Sequence, residues 1–433
     1  HQLLGGGVIG AARRTAHGWA TIMHSCTERC GLSAAAIVAM ARVVSGHGML
    51  VFPPSRNAAD RFFREFQNGQ SPQTPCTCPN GGRRDHSGDH GSLPCNQGLR
   101  NTSGGQPCLW WSQGCTIGCP KCTGDSHTQS AGRRLCEGGA KEPTLPRWAW
   151  TMAVGADAKD DFDNYRYNPW RAPGFAPVVD PCGQAGGTTW KYRGPGDAVF
   201  TNTSMATMGD LGSQVLPRAP SGTMWTAGTT VEVGWGMRYN HGGGYQYRLC
   251  PANASLTEEC FQKTPLDFDR SKQALVWNNG TRLPLQGIFV DQGTWPVNST
   301  WARNPVPRMG EMSPGCLYRN RTDHESTACV SFRPPCPSDC TGQPGCPNPG
   351  HPTDDGTQQG DCSGDWTGGM IVDSVIIPAD LPAGDYVLGW RWDCEETTQI
   401  WQSCADITVC QRGVPCHVPA PYTGEDRTKN FGP

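Results

Sequence analysis

The chain has 433 residues, a formal net charge of −2 and 17 % charged residues, so neither nucleic acid nor an anionic membrane surface has an electrostatic claim on it. Its 56 glycines and 37 prolines favour short strands and long turns over helices. Its 23 cysteines argue against a reducing compartment and read as a disulfide framework.

Residues 1–22 begin without Met and read as upstream sequence outside the fold. Met23 opens an expected signal peptide over 23–46: Arg29 precedes the apolar run LSAAAIVAMA (32–41), and Val44 and Gly46 suit a cleavage site. The run is too short to span a membrane. Glu28 and Arg42 count against this reading, and a buried helix ending at Gly46 competes with it. Cleavage after Gly46 makes His47 the first residue of the mature chain. Its α-amine and imidazole then form a chelating pair that no internal histidine can supply.

From His47 to about Thr151 the sequence is loop-dominated. The run CLWWSQGCTIGCPKC places Cys108, Cys115, Cys119 and Cys122 at spacings that suit a zinc knuckle or a local disulfide knot. Secretion favours the knot. Strand signals then follow at 229–239, 243–250, 368–378, 385–394 and 399–409, with no sustained helical periodicity. The expected fold is all-β, an immunoglobulin-like antiparallel β-sandwich with long disulfide-rich loops, spanning 47–409. Residues 311–362, Cys-rich and nearly free of aliphatic runs, read as a stapled insertion, and 410–433 as a polar tail or linker.

Removing Cys26 and Cys30 with the signal peptide leaves 21 cysteines. That odd number leaves one thiol free, intermolecular or parted from its partner. Six sequons, at Asn101, Asn202, Asn253, Asn279, Asn298 and Asn320, are N-glycosylation candidates and agree with a secreted, extracellular or cell-wall protein.

A copper site built on a terminal histidine needs a second imidazole. His86, His90 and His127 lie in loops; His324, His351 and His417 lie in the insertion or tail. His241 alone stands between two strand signals, in RYNHGGGYQYRLCP, where a turn would hold it rigidly at one end of a sandwich.

Four segments, HGxxxxPxSR from His47, NPWRAPGFAPVVDPCGQAGG (168–187), NHGGGYQYRLCP and TTQIWQSCADITV, together resemble the lytic polysaccharide monooxygenases. More narrowly, they resemble the chitin-binding type-4 domain proteins of secreted eukaryotic type. The resemblance implies one copper ion in a histidine brace made by His47 and His241, an external reductant, and O₂ or H₂O₂ as co-substrate. The implied reaction oxidises C1 or C4 of a glycosidic linkage in an insoluble polysaccharide: chitin, cellulose or an algal wall glycan. Gln399 takes the catalytic place of a residue that hydrogen-bonds the oxidant. Trp401 stands at the axial position where Tyr or Phe is usual, and an indole offers no phenolate-like oxygen there.

Tyr245, Tyr247, Trp110 and Trp111 are candidate polysaccharide contacts. Core packing is the favoured alternative for the two tryptophans, and the two tyrosines share a strand face, so both are in or both are out. The implied partner is polysaccharide, with no nucleic acid, no membrane and a monomeric chain. A non-catalytic carbohydrate-binding or cell-wall matrix protein on the same fold is the competing function. A hydrolase is disfavoured, because Glu395 and Glu396 are strand neighbours that face opposite ways and cannot flank one bond.

Overall fold

The computed structural model describes residues 47–57, 105–106, 110–112, 117–119, 139–146, 166–187, 199–200, 205–239, 241–277, 282–305, 369–395 and 397–420. These all belong to one unit, Val43–Pro433. The expected signal peptide, the expected insertion 311–362, Glu396 and sequons Asn101, Asn202, Asn279 and Asn320 lie outside the described residues.

In chain order the first strands are β1 (His47–Phe52), β2 (Gly105–Gln106), β3 (Trp110–Ser112), β4 (Gln184–Ala185), β5 (Val199–Phe200) and β6 (Pro220–Thr226). Then come β7 (Thr230–Tyr239), β8 (Gly244–Pro251), β9 (Asp267–Trp277), β10 (Arg282–Leu285), β11 (Phe289–Val290) and β12 (Trp301–Arg303). The last three are β13 (Gly369–Ile376), β14 (Gly384–Asp393) and β15 (Ile400–Cys410). The described α-helices, α1 (Gly212–Val215) and α2 (Glu258–Phe261), are single turns. None is long and apolar enough to cross a membrane.

The strands form a five-stranded sheet, β1-β7-β13-β9-β10, and a larger one, β11-β12-β8-β14-β15-β3-β4, which β6 joins by pairing with β15. The expected sandwich is present, and its pairings are antiparallel except β6–β15, which is parallel; β2 and β5 form a separate parallel pair. The five sequence-predicted strands coincide with β7, β8, β13, β14 and β15. Strand β9 escaped sequence reading because DFDRSKQALVW carries charge through its first half and apolar residues only in its second.

Between the sheets, Leu50, Val233, Trp235, Leu275, Ile371 and Val375 meet Tyr245, Tyr247, Leu249, Leu388, Trp390, Trp392, Trp401 and Ile407. Period-two alternation puts Leu388, Trp390 and Trp392 on that inner face and Arg391 and Asp393 on the other. The other face is buried as well, under the loop 166–187, α2 and the residues before β12. Charges held there must be paired. Arg391 Nε donates to Asp393 Oδ1 at 2.6 Å, Nη1 to Glu258 Oε1 at 2.8 Å and Nη2 to the Ala176 carbonyl at 2.8 Å. Glu258 also pairs with Arg248. Burial alone would raise the Glu258 carboxyl, but the two guanidinium groups outweigh it and hold it at about 2.

Disulfides join Cys182 to Cys404, Cys250 to Cys260 and Cys410 to Cys416, and Cys119 is also disulfide-bonded. The last fact sides with the knot over a zinc knuckle at that position. Cys394 is the free cysteine among the described residues, and burial pushes its thiol well up. Cys410, where the tail is expected to begin, ends β15, and its bond to Cys416 ties the following turn to the sheet.

Candidate functional site at one end of the sandwich

His47 and His241 arrive from opposite directions. β1 pairs antiparallel with β7, its backbone at His47 opposite Tyr239, two positions before His241. The chain then enters β8 of the larger sheet after His241, Gly242 and Gly243. Gly48 lies directly on the larger sheet: a Cβ built there would come within 2.9 Å of the Trp392 ring and 3.1 Å of Trp390. The His241 ring lies on the same indole, with ring centroids 6.5 Å apart and planes at 29°. Trp392 is thus the common floor for the start of β1 and for His241, and sequence reading did not single it out.

The turn carrying His241 is held by its backbone. The Glu395 N–H donates to the His241 carbonyl at 3.1 Å, Trp392 Nε1–H to the Gly242 carbonyl at 2.8 Å, and the Asn304 N–H to the Gly243 carbonyl at 2.8 Å. Gly242 and Gly243 have φ of 61° and 75°, a left-handed backbone that favours glycine. At Gly243 a Cβ would stand 2.1 Å from the Asp393 carbonyl oxygen. Gly243→Ala is therefore expected to cost clearly more than the roughly 1–2 kcal/mol of left-handed backbone alone. Gly413→Ala is the control in thermal unfolding, since Gly413 has φ 75° and nothing within 4 Å of its Cβ position. Equal losses at the two sites would show that the His241 turn is not clamped.

Glu395 is fully buried; its Oε2 accepts from the Gly243 N–H at 3.4 Å and lies 3.7 Å from Arg303 Nη2. Its carboxylate is a brace for the turn and no half of a hydrolytic pair. Gln399 is also buried: its Oε1 accepts from Trp401 Nε1–H at 3.3 Å and from the Thr397 hydroxyl at 3.4 Å. Trp401 stacks on Trp111 with centroids 5.5 Å apart and planes at 18°. Ladder partners place Trp111, Trp401, Trp392 and Tyr245 level with one another across β3, β15, β14 and β8.

That row corrects the expected polysaccharide contacts. Trp110, Trp111, Tyr245 and Tyr247 are all buried and cannot meet a solid substrate. The tyrosines point between the sheets because their faces alternate with Gln246 and Arg248, which pack beneath the loops. Their hydroxyls donate to the Asp373 carboxylate, Tyr245 at 3.1 Å and Tyr247 at 3.0 Å. Among the tryptophans whose side chains are described, only Trp295 is exposed.

Two motif segments prove to be supports. Arg56 of the first grips Asp406 of β15 through Nε at 2.7 Å and Nη2 at 2.6 Å. Asn57 donates to the Cys182 carbonyl at 2.8 Å and accepts the Cys404 N–H at 3.0 Å, beside the Cys182–Cys404 bond. In the second, Trp170 packs on Gly244, where a Cβ would meet its ring at 2.2 Å, and the Asn168 amide donates to the Glu395 carbonyl at 2.8 Å.

No family model matches the chain. It is similar to solved structures at low identity. These include a lytic polysaccharide monooxygenase AA15 from Thermobia domestica in the Cu(I) state (14 % identity, 43 % of this chain, 62 % of that one, TM-score 0.19). Others are the cellulose-active CelS2 in complex with copper (16 %, 45 %, 54 %, TM-score 0.18) and a chitin binding domain from Burkholderia pseudomallei (10 %, 84 %, 100 %, TM-score 0.26). The chain spans about three fifths of the first and about half of the second. Likenesses of this strength carry no functional weight beside the residues themselves.

Among the described residues no three His, Cys, Asp or Glu side chains stand together as a metal site. The carboxylate nearest the turn, Glu395, is engaged by Gly243 and Arg303. The cation expected at His241 would draw its further donors from His47. Three nitrogens, one amine and two imidazoles, make a donor set that suits copper.

Proposed function

We propose that the mature protein is a secreted copper-dependent enzyme that oxidatively cleaves an insoluble polysaccharide such as chitin, cellulose or an algal wall glycan. The observation that carries this reading is the shared floor: Gly48, the residue next to His47, and the His241 ring both reach Trp392. Cleavage after Gly46 would free the His47 amine at that place.

In this reading the His47 amine and imidazole and the His241 imidazole hold the ion. The chemistry such an ion supplies is one-electron redox toward O₂ or H₂O₂, driven by an external reductant. The chain's own work is positional. Trp392 orients the His241 ring from one face, and the Glu395 N–H fixes the backbone that carries it. Thr397 and Trp401 hold the Gln399 carbonyl, which turns the amide's donor end away from them. Trp401, stacked on Trp111, is held in the core where it takes no part in the ion's coordination.

Protein secreted by a eukaryotic host should begin at His47 and bind one copper ion per chain. His47→Ala, His241→Ala, or a single extra residue ahead of His47 should each weaken binding by about 100-fold or more, beyond the 10–100-fold typical of an outer-sphere partner. Copper-loaded protein with ascorbate and H₂O₂ should release oxidised oligosaccharides. Retention of tight binding by the extended chain would overturn the brace.

A non-catalytic carbohydrate-binding or wall-matrix role is the second reading. It is favoured by the complete burial of His241 and by an indole, Trp401, where the resemblance implies Tyr or Phe. Adhesion to chitin, cellulose and algal walls without oxidised product would select it.

A further inference from the structure

Two of the six sequons fall on described asparagines, Asn253 and Asn298, and both are exposed. Their surroundings differ. Asn298 sits in a turn closed by the Ser299 N–H donating to the Pro296 carbonyl at 2.9 Å. It is the one described non-glycine residue with positive φ, at 63°. The third position of a type II turn requires that conformation, and asparagine tolerates it. The residue just ahead of the turn is Trp295, 39 % exposed, and within the turn Val297 is 67 % exposed.

The indole is exposed yet anchored. Its ring packs against Phe175 with centroids 5.7 Å apart. The Trp295 N–H donates to the Pro173 carbonyl at 2.9 Å, and its own carbonyl lies so close to Gly174 that a Cβ there would stand 2.0 Å away. At the other end, the Thr294 hydroxyl donates to the Ser299 carbonyl at 2.7 Å. The turn thus presents a fixed aromatic face and an amide side chain, three residues apart, on one short exposed loop.

We propose that Asn298 is an N-glycosylation site whose first N-acetylglucosamine packs its apolar face on Trp295. The sugar's C–H groups offer an aliphatic surface to an aromatic ring, and its acetamide and hydroxyls remain in water. Covering Trp295 and Val297 in this way removes an exposed apolar patch without closing any groove. Attachment forms the bond between the Asn298 amide nitrogen and the sugar's anomeric carbon, with a lipid-linked oligosaccharide as donor and its diphosphate carrier as leaving group. Asn253 provides an internal contrast: three residues ahead of it stands Cys250, buried in its disulfide with Cys260. The proposal depends on passage through a eukaryotic secretory pathway and not on copper chemistry.

The test is a cycle on protein secreted from a eukaryotic host, with site occupancy read by mass spectrometry and stability by thermal unfolding. Asn298→Asp removes the glycan while keeping a residue that tolerates positive φ. The glycan should raise Tm by about 1–2 °C, the shift an aromatic contact gives a unit as long as Val43–Pro433. In the Trp295→Ala background the same removal should change Tm by less than about 0.5 °C. Asn253→Asp should leave Tm unchanged whether or not that site is occupied. An unmodified Asn298 in the secreted protein, or an equal glycan effect with and without Trp295, would overturn the proposal.

Discussion

Arg56→Met is expected to lower the unfolding free energy by about 3–5 kcal/mol, among the largest losses available from one side chain. Asp406 is 3 % exposed and accepts Arg56 through two nitrogens and the Ala219 N–H at 2.7 Å. Without Arg56 the carboxylate keeps only that N–H and the distant Arg218 Nε, 3.9 Å away on a half-exposed side chain. An uncompensated buried charge is what makes the loss large. Adding Asp406→Asn to Arg56→Met should therefore recover part of it, since the amide keeps an acceptor for Ala219 and carries no charge. Urea midpoints with unchanged slopes measure both effects. A loss below about 1 kcal/mol would mean the pair behaves like a solvent-exposed bridge. Because Arg56 follows β1 directly, amide exchange in His47–Phe52 should quicken before that of β14.

The second expected result concerns Asp373, which stands between the sheets. Its Oδ1 accepts from the Tyr245 hydroxyl at 3.1 Å and Gln273 Nε2 at 2.8 Å, and its Oδ2 from the Tyr247 hydroxyl at 3.0 Å. Burial pushes the carboxyl up to about 6 from 3.8, against the pull of these three donors. The native state therefore binds its proton more tightly than the unfolded chain. Stability from this group is highest below about pH 4 and falls as pH rises through about 6, by about 3 kcal/mol in all. Asp373→Asn should match wild type near pH 4 and exceed it at pH 8. Asp373→Leu strands three buried donors at about 1–3 kcal/mol each, so it should be severely destabilised at every pH. Asp180, also raised to about 6 by burial, adds a fall in the same window that Asp373→Asn leaves in place. Glu258 works the other way: held at about 2, it contributes stability above pH 4.5 that is lost as pH falls toward 2. A flat difference between Asp373→Asn and wild type from pH 4 to pH 8 would refute the assignment.

The long strands of both sheets, β7 and β13 of the smaller and β8, β14 and β15 of the larger, were legible because alternation of one buried and one variable face is a local property of the chain. TVEVGWGMRY and DYVLGWRWD announce themselves residue by residue. What alternation could not reveal was that both faces of the larger sheet are covered. Arg391, Asp393, Arg248 and Gln402 lie on the face away from the smaller sheet, where the loop 166–187 and α2 bury them in a network of ion pairs and hydrogen bonds. For the same reason Tyr245 and Tyr247 looked available to a substrate. Their direction depends on which face the smaller sheet occupies, and that sheet is assembled from segments far away in sequence.

By itself the sequence offered candidate chelating atoms, since the proposed pairing of His47 with the turn-borne His241 rests on residue identity and order. It also determined the β-rich class and the cysteine pairing chemistry. Tertiary structure alone decided that β1 runs beside β7, that Trp392 underlies both Gly48 and His241, and that Arg56 and Asp373 find partners 350 and 128 residues away. Such contacts depend on how two sheets face each other, and facing is set by long-range packing that no local pattern encodes.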